Sequence, residues 1–475
     1  MSGLSGFRTP SVQTGPCAGA ALVMVLVVFF MVAGSSASFI WFMNQQQTRA
    51  GTRLRAMAAL ALAEGCVHQA LAILETKAPD GSPGRRWRPT AHSEVRTVGT
   101  FEGRATVSVH DAPDGAVLIT CAGEIAGVLR RLRARVYLAS AALLAGLYGA
   151  GWIRIEDPPA STVIDVYGIG PTRHPWVHIA VGRGLWFATA NVALNDSSTA
   201  IGALPGPLGQ VAPSQPSPGR ASPVRLLMTH EAGLAILSGR LHVDVQQLRT
   251  LGVHLDGTVM RTKVLPPVPE VNRWYYQRLA AANTANADLN KAVGEYFGDT
   301  DLARKRDSLY SSREFELLQM FLARGLRSPV LRGVVYLRGG LGLTDGQSLQ
   351  IQEGTLVAER AVYVDEGASF EVVHSQATRT LPGLIVLEPG GLIVRQRGRL
   401  RAHGLVHVEG IVNIAGGARM EVVGAVLAKD PHLSFLNAAS TVLVLYDPAV
   451  LGTPGLRVAE GTPLVAWVAA LEELP

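Results

Sequence analysis

The sequence predicts an α+β chain that runs on into an all-β one. Its parts are a long N-terminal helix crossing a membrane, a small antiparallel sheet, and a C-terminal right-handed parallel β-helix. Three observations carry this reading. An apolar run without a single charge extends from Ala18 to Met43. Alternating segments separated by turn residues follow between residues 98 and 140. From Gly333 onward, glycine returns at short intervals between brief apolar strands.

Residues 1–17 form a leader whose only charged side chain is Arg8. The run at 18–43, starting at Gly19, Ala20, Ala21 and Leu22, is interrupted only by Gly34 and the serines at 35, 36 and 38. A bilayer core needs roughly 20 apolar helical residues, so this run is long enough to span it. A secretory signal has a shorter apolar core of about 7 to 15 residues before its cleavage site. Here Phe39 to Met43 resume the run directly after the small residues, which disfavours cleavage. Cys17 precedes the run, whereas a lipoprotein cysteine follows it. Arg49, Arg53 and Arg55 stand just beyond the span; read alone, the tendency of positive charge to stay cytoplasmic places the C-terminal bulk inside.

The helix continues over 44–78. Met57, Leu60, Val67, Leu71 and Leu74 recur at spacings that keep them on one helical face, with Glu64 in the same series. Two readings follow. Either the stripe faces a core with Glu64 at its edge, or Glu64, with Leu60, Val67 and Leu71 around it, meets an arginine of a neighbouring helix in an assembly. A carboxylate on an apolar face is costly unless paired. At 1.5 Å per residue the whole helix is on the order of 85 Å long.

The formal net charge is +6 and charged residues make up 17% of the chain. The excess arginine is dispersed and is not interleaved with aromatics, which argues against a nucleic-acid partner. Three cysteines, Cys17, Cys66 and Cys121, are too few for a disulfide framework. Cys66 with Cys121 is one bridge open to the chain in an oxidising space; two reduced, half-buried thiols is the other reading.

After a polar loop, residues 98–140 read as an antiparallel meander: RATVSVH, the turn APDG, AVLITCA, then VLRRLRARVYL. The uncharged stretch from Val136 to Ile153 is too short to cross once its strand is subtracted, and reads as a buried segment. Residues 154–202 look like irregular β structure, 203–223 is a Pro/Gly/Ser linker, and 224–265 is again β. Pro266, Pro267 and Pro269 introduce a helical insert over 266–325, charged on all sides and read as surface. The β-helix occupies 330–450, where glycine recurs at 398, 404, 410 and 416 among runs such as LIVL, LVHV and IVNI. A β-sandwich is the rival architecture. Residues 451–475 are read as a C-terminal tail.

Parallel β-helices also serve enzymes that cut polysaccharides, so the acidic residues of this region are candidates for such chemistry. Asp345, Glu353, Asp365, Glu366, Glu371 and Glu388 mostly sit beside glycine and fit turns; no fixed spacing pairs them. His403 and His407 flank Gly404 and read as a surface pair in preference to metal ligands. No catalytic residue, cofactor or metal is expected.

Taken in order, these stretches resemble the PilX-type pilus-assembly proteins, minor pilin-like components of type IV pili. GAALVMVLVVFFMV at 19–32 and ALAEGCVHQALAIL at 61–74 are similar to the start and close of that family's N-terminal helix, with Ala63, Glu64 and Gly65 at the close. GVVYLRGGLGL, LIVLEPGGLIV, GLVHVEGIVNIAGGARMEVVGAVLA, the YDPAVL close and PPVPEVNRWYYQRLA resemble parts of the longer members. The resemblance covers more than half of the chain. It implies a single-pass inner-membrane protein with its bulk periplasmic or extracellular, and other pilin or minor pilin subunits, the assembly machinery and the bilayer as partners. Pro16-Cys17-Ala18 replaces the basic residue that usually precedes the first glycine. The acidic residue that bulk pilins carry shortly afterwards is missing, Ala20 or Met24 standing there. That departure implies an initiating or accessory subunit. A membrane-tethered β-helix protein that binds or cleaves polysaccharide is the alternative, and a cytoplasm-facing scaffold of the bactofilin kind follows if the arginines after the span set the orientation.

Overall fold

The computed structural model describes residues 17–98, 100–113, 115–155, 163–168, 177–181, 184–187, 224–229, 233–236, 240–241, 257–262, 265–324, 330–387, 391–430, 434–435, 440–459 and 462–474. The leader before Cys17, the linker at 203–223 and Glu388 lie outside them.

Helix α1 (Cys17–Glu75) is unbroken over 59 residues. Four hydroxyls bond within the helix: those of Ser35, Ser38, Thr48 and Thr52 donate to the carbonyls of Met31, Gly34, Asn44 and Thr48, four residues back, at 2.7 to 2.9 Å. Such bonds let a helix carry serine where no water is available.

The second half of α1 lies on an antiparallel sheet of β1 (His92–Val98), β2 (Phe101–Asp111), β3 (Val117–Ile125) and β4 (Val128–Ser140). Burial alternates along β3, as it must in a strand with one face packed and one open. Ala59, Leu62, Ala63, Cys66, Val67, Ala70, Leu71 and Leu74 of the helix share one core with Val107, Val109, Ile119, Cys121, Leu132, Ala134 and Val136 of the sheet. The tail expected at 451–475 is instead structural. Leu464–Leu474 pairs antiparallel with β4 as the fifth strand; Ala466 joins the core between helix and sheet, and Val465, on the opposite face, packs with Ala139 and Ala142.

Beyond this sheet most strands are parallel, the exceptions among the described residues being Gly233–Ile236 with Arg240–Leu241 and Glu270–Val271 with Leu456–Arg457, which pair antiparallel. Val335–Leu337, Leu356–Ala358, Leu384–Val386 and Leu405–Val408 lie side by side in register. Leu341–Leu343, Val362–Val364, Leu392–Val394 and Val412–Ile414 make a second parallel sheet. Ser348–Gln352, Ser369–Val373, Arg399–Ala402 and Arg419–Val422 make a third row. The chain visits the three rows in the same order repeatedly, and their inward residues, such as Leu337, Val362, Phe370 and Met420, form one core.

The separation of 154–202 and 224–265 from this region does not hold. Ala145–Gly149, Val163–Gly168, Val177–Val181, Val224–Thr229 and Gly257–Thr262 enter the same 15-stranded sheet, joined to it where Leu147–Gly149 pairs with Val426–Ala428 and Val163–Gly168 with Thr441–Tyr446. Parallel pairing needs no sequence adjacency, so two distant stretches complete one stack. The Val136–Ile153 stretch is spent on the end of β4, a 3-10 turn over Ala141–Leu144 and the buried strand Ala145–Gly149.

The insert at 266–325 is not simply surface. Its helices Ala287–Phe297, Thr300–Arg304 and Ser312–Ala323 bury Leu289, Val293, Leu302, Phe315 and Leu318 in the core of the parallel region. Helix Arg273–Ala282 buries Tyr276 and Ala280 over Tyr336, Val357 and Ile385. Charge on every side hid these narrow apolar faces.

Candidate functional site

The feature with the clearest chemical consequence is the division of α1 into two unlike halves. From Leu22 to Met43 its large apolar side chains are 43 to 70% exposed, and among the described residues nothing packs on them. This half is long and apolar enough to cross a membrane. Gly19, Ala20 and Ala21 fall in its first turns, within the helical backbone.

The second half is held very close to its sheet. A Cβ on Gly123 would fall 2.2 Å from the Ala59 carbonyl oxygen and 2.9 Å from the Ala63 nitrogen, and one on Gly103 would meet Leu62 and Ile125. Glycine in the strands and alanine in the helix together set this approach. At the helix end, Glu75 accepts a hydrogen bond from the Ala466 amide at 2.8 Å, joining α1 to the C-terminal strand.

The expected assembly stripe is split by this packing. Val67, Leu71 and Leu74 are buried against the sheet and Leu60 is half-buried. Met57 is 68% exposed and Glu64 is exposed. The packed stripe is centred instead on Ala59, Ala63, Cys66 and Ala70, small residues that a count of large apolar side chains overlooks. Glu64 stands just outside it, on an exposed face with Leu54, Met57, Ala61 and His68.

Cys66 and Cys121 are free thiols, both buried, one on α1 and the other facing it from β3. The Cys121 thiol donates to Cys66 and holds its pKa down; the same contact, with burial, pushes Cys121 up. Nearby, Arg96 binds Glu94 at 2.7 Å and also bonds Gln69. The Arg96 guanidinium and His92 hold the Glu94 carboxyl below its usual range.

In the parallel region Asp345, Glu353 and Glu366 take left-handed turn conformations, with φ of 52°, 54° and 49°. Asp365 pairs with Arg395 at 2.6 Å and Glu371 with Arg401 at 3.3 Å. The stack does bring Asp345 beside Glu366, and that contact raises the Glu366 carboxyl. The signal was present in the sequence as equivalent turns ending in Gly346 and Gly367. His403 and His407 are not a surface pair. Gly404 turns the chain between them, His403 accepts from the His374 amide at 3.3 Å, and His407 is fully buried. No group of three or more histidine, cysteine or carboxylate side chains that could hold a metal occurs among the described residues.

No family model matches the chain, and no curated protein does. Among solved structures, the chain is similar to the competence-associated pilin ComZ from Thermus thermophilus, at 11% identity over 88% of this chain and 97% of that one, with a TM-score of 0.19. A likeness of that size carries no argument about fold or role. What stands on this chain's own geometry is a long apolar N-terminal helix followed by an antiparallel sheet and a large parallel-strand region.

Proposed function

We propose that the chain is a membrane-anchored, non-enzymatic minor pilin-like component, of the PilX type, taking part in assembly of a type IV pilus or a related pseudopilus. The observation that carries this is the two-part helix. A charge-free half projects from the folded body, while the other half is packed into it, so one rigid element offers a membrane anchor and an assembly shaft. The body lies outside the cytoplasm, on the far side of the inner membrane. We read the parallel-strand region as a right-handed parallel β-helix carried by this stem.

The exposed strip Leu54, Met57, Ala61, Glu64 and His68 is the contact face in this reading. Glu64 would be neutralised there by a basic residue of a neighbouring subunit, since a lone carboxylate between packed helices is costly. The test is a photo-crosslinking residue in place of Met57 in the native host, with a second at Val95 on the exposed edge strand of the sheet. Adducts with pilin subunits from position 57 but not 95, together with loss of pili on deletion, are expected. Intact pili in the deletion strain, with retention of the chain on immobilised polysaccharide, would replace this reading by the tethered glycan-binding one.

A further inference from the structure

The cysteine pair sits where a covalent bond would have the largest mechanical effect. Cys66 is 4% exposed and Cys121 0%. They occupy one core and come from two elements far apart in sequence, the stem helix and the central strand of the sheet. Among the described residues packing holds α1 to β3, with hydrogen bonds from Gln69 to Glu94 of β1 and from Ala466 to Glu75 beside it, and a pulling force on the stem acts directly on that contact. Gly123, two residues along the same strand, brings the helix backbone to its closest approach beside the pair.

We infer that Cys66 and Cys121 are an oxidisable pair that closes to a disulfide during export, locking the stem helix to the sheet. This rests on the reading that the folded body lies outside the cytoplasm, in an oxidising space. The oxidant is a protein disulfide of the thiol-exchange class. One cysteine thiolate attacks a sulfur of that disulfide and expels its first thiolate. The other attacks the resulting mixed disulfide and expels the second. Two thiol protons are released, two electrons pass to the oxidant, and one S–S bond forms within this chain.

The docked fold holds the two sulfurs within reach of one another, the Cys121 thiol donating to Cys66. Burial in the finished fold shields both sulfurs, so exchange with an external oxidant precedes final docking of α1. Once formed, the bond is equally shielded from reductants. It closes a long loop, the type of cross-link that most restricts the unfolded chain.

The test counts thiols in the full chain expressed in a Gram-negative host. Cells are quenched in acid, the chain is denatured without reductant and alkylated with a mass tag, and protease access to intact spheroplasts reports the side of the body. Cys17 serves as the internal reference thiol. One tag per chain with a protease-accessible body is expected, rising to three after reduction. Three tags on an accessible body would overturn the pairing while leaving the export reading intact. A protected body would overturn the export reading. In that case the purified chain, unfolded and refolded in a glutathione redox buffer, decides the pairing: a Cys66–Cys121 peptide in the digest supports it, and its absence overturns it. Cys121→Ser should leave two tagged thiols with or without reductant.

Discussion

His407 is a neutral group whose ring has no hydrogen-bond partner among the described residues. It is fully buried, and burial, with Lys429 adding to it, pushes its pKa down to about 3. His374, down to about 4 for the same main reason, acts in the same direction. The unfolded chain takes up protons on these rings near pH 6.5 while the folded one does not, so stability is full above that pH and declines as pH falls toward 3. Each such group contributes a slope of at most about 1.4 kcal/mol per pH unit. Thermal unfolding followed by circular dichroism should show a midpoint falling between pH 7 and 4. In His407→Leu that fall should be shallower, with the midpoint at pH 7 equal or higher, because an apolar group of similar size leaves nothing unpaired. A second residue-scale test contrasts two glycines. A Cβ on Gly424 would lie 2.0 Å from the Gly404 carbonyl oxygen in the adjacent strand, whereas Gly115, in an open hairpin turn, meets nothing within 4 Å. Denaturant titration should give a loss of about 3 kcal/mol for Gly424→Ala by overpacking, and about 1 kcal/mol for Gly115→Ala from its left-handed backbone alone.

At the scale of the element, α1 shows both what sequence reasoning recovers and where it fails. The membrane half is legible because composition alone determines it: no charge, enough length, no proline. The packed half is legible only in part. Val67, Leu71 and Leu74 belong to a periodic apolar series and are buried, but Met57 and Glu64 of the same series turn to the exposed face of the helix. The residues closest to the sheet are alanines, selected by the close approach at Gly123, and alanine is too common in helices to stand out. Replacing Gly123 with Val should therefore do more harm than its surface-like neighbours suggest, loosening the helix and exposing Cys66 to alkylation in the reduced protein under native conditions. In the other half, arginine at both Val27 and Met31 costs about 2.5 to 3.5 kcal/mol each at the centre of a span. This double variant should move the chain from the membrane pellet to the soluble or aggregated fraction, whereas Val27→Leu with Met31→Leu should not.

The whole molecule is tied together by connections that run against sequence order. The glycine rhythm after Gly333 made the later parallel strands readable, but the earlier ones, from Ala145 to Thr262, carry no such rhythm and reveal their place only by pairing with Val426–Ala428 and Thr441–Tyr446. The C-terminal strand was unreadable for a related reason. Leu464–Leu474 has no turn linking it to β4, its partner far upstream, and the ion pairs Arg130–Glu473 and Arg133–Glu472 join residues that no local pattern connects. Truncation after Thr462 should consequently damage the N-terminal sheet, with rapid proteolysis within β1–β4, while removal of Pro475 alone should be silent. The central claim, that the stem anchors the chain with its folded body outside the cytoplasm, is tested most directly by fusing alkaline phosphatase after Pro475 of the full-length chain, beside a parallel fusion to a fluorescent protein that matures only in the cytoplasm. Phosphatase activity without fluorescence is the predicted result. Fluorescence without phosphatase activity would contradict it, and would make Arg49, Arg53 and Arg55 the determinants of topology.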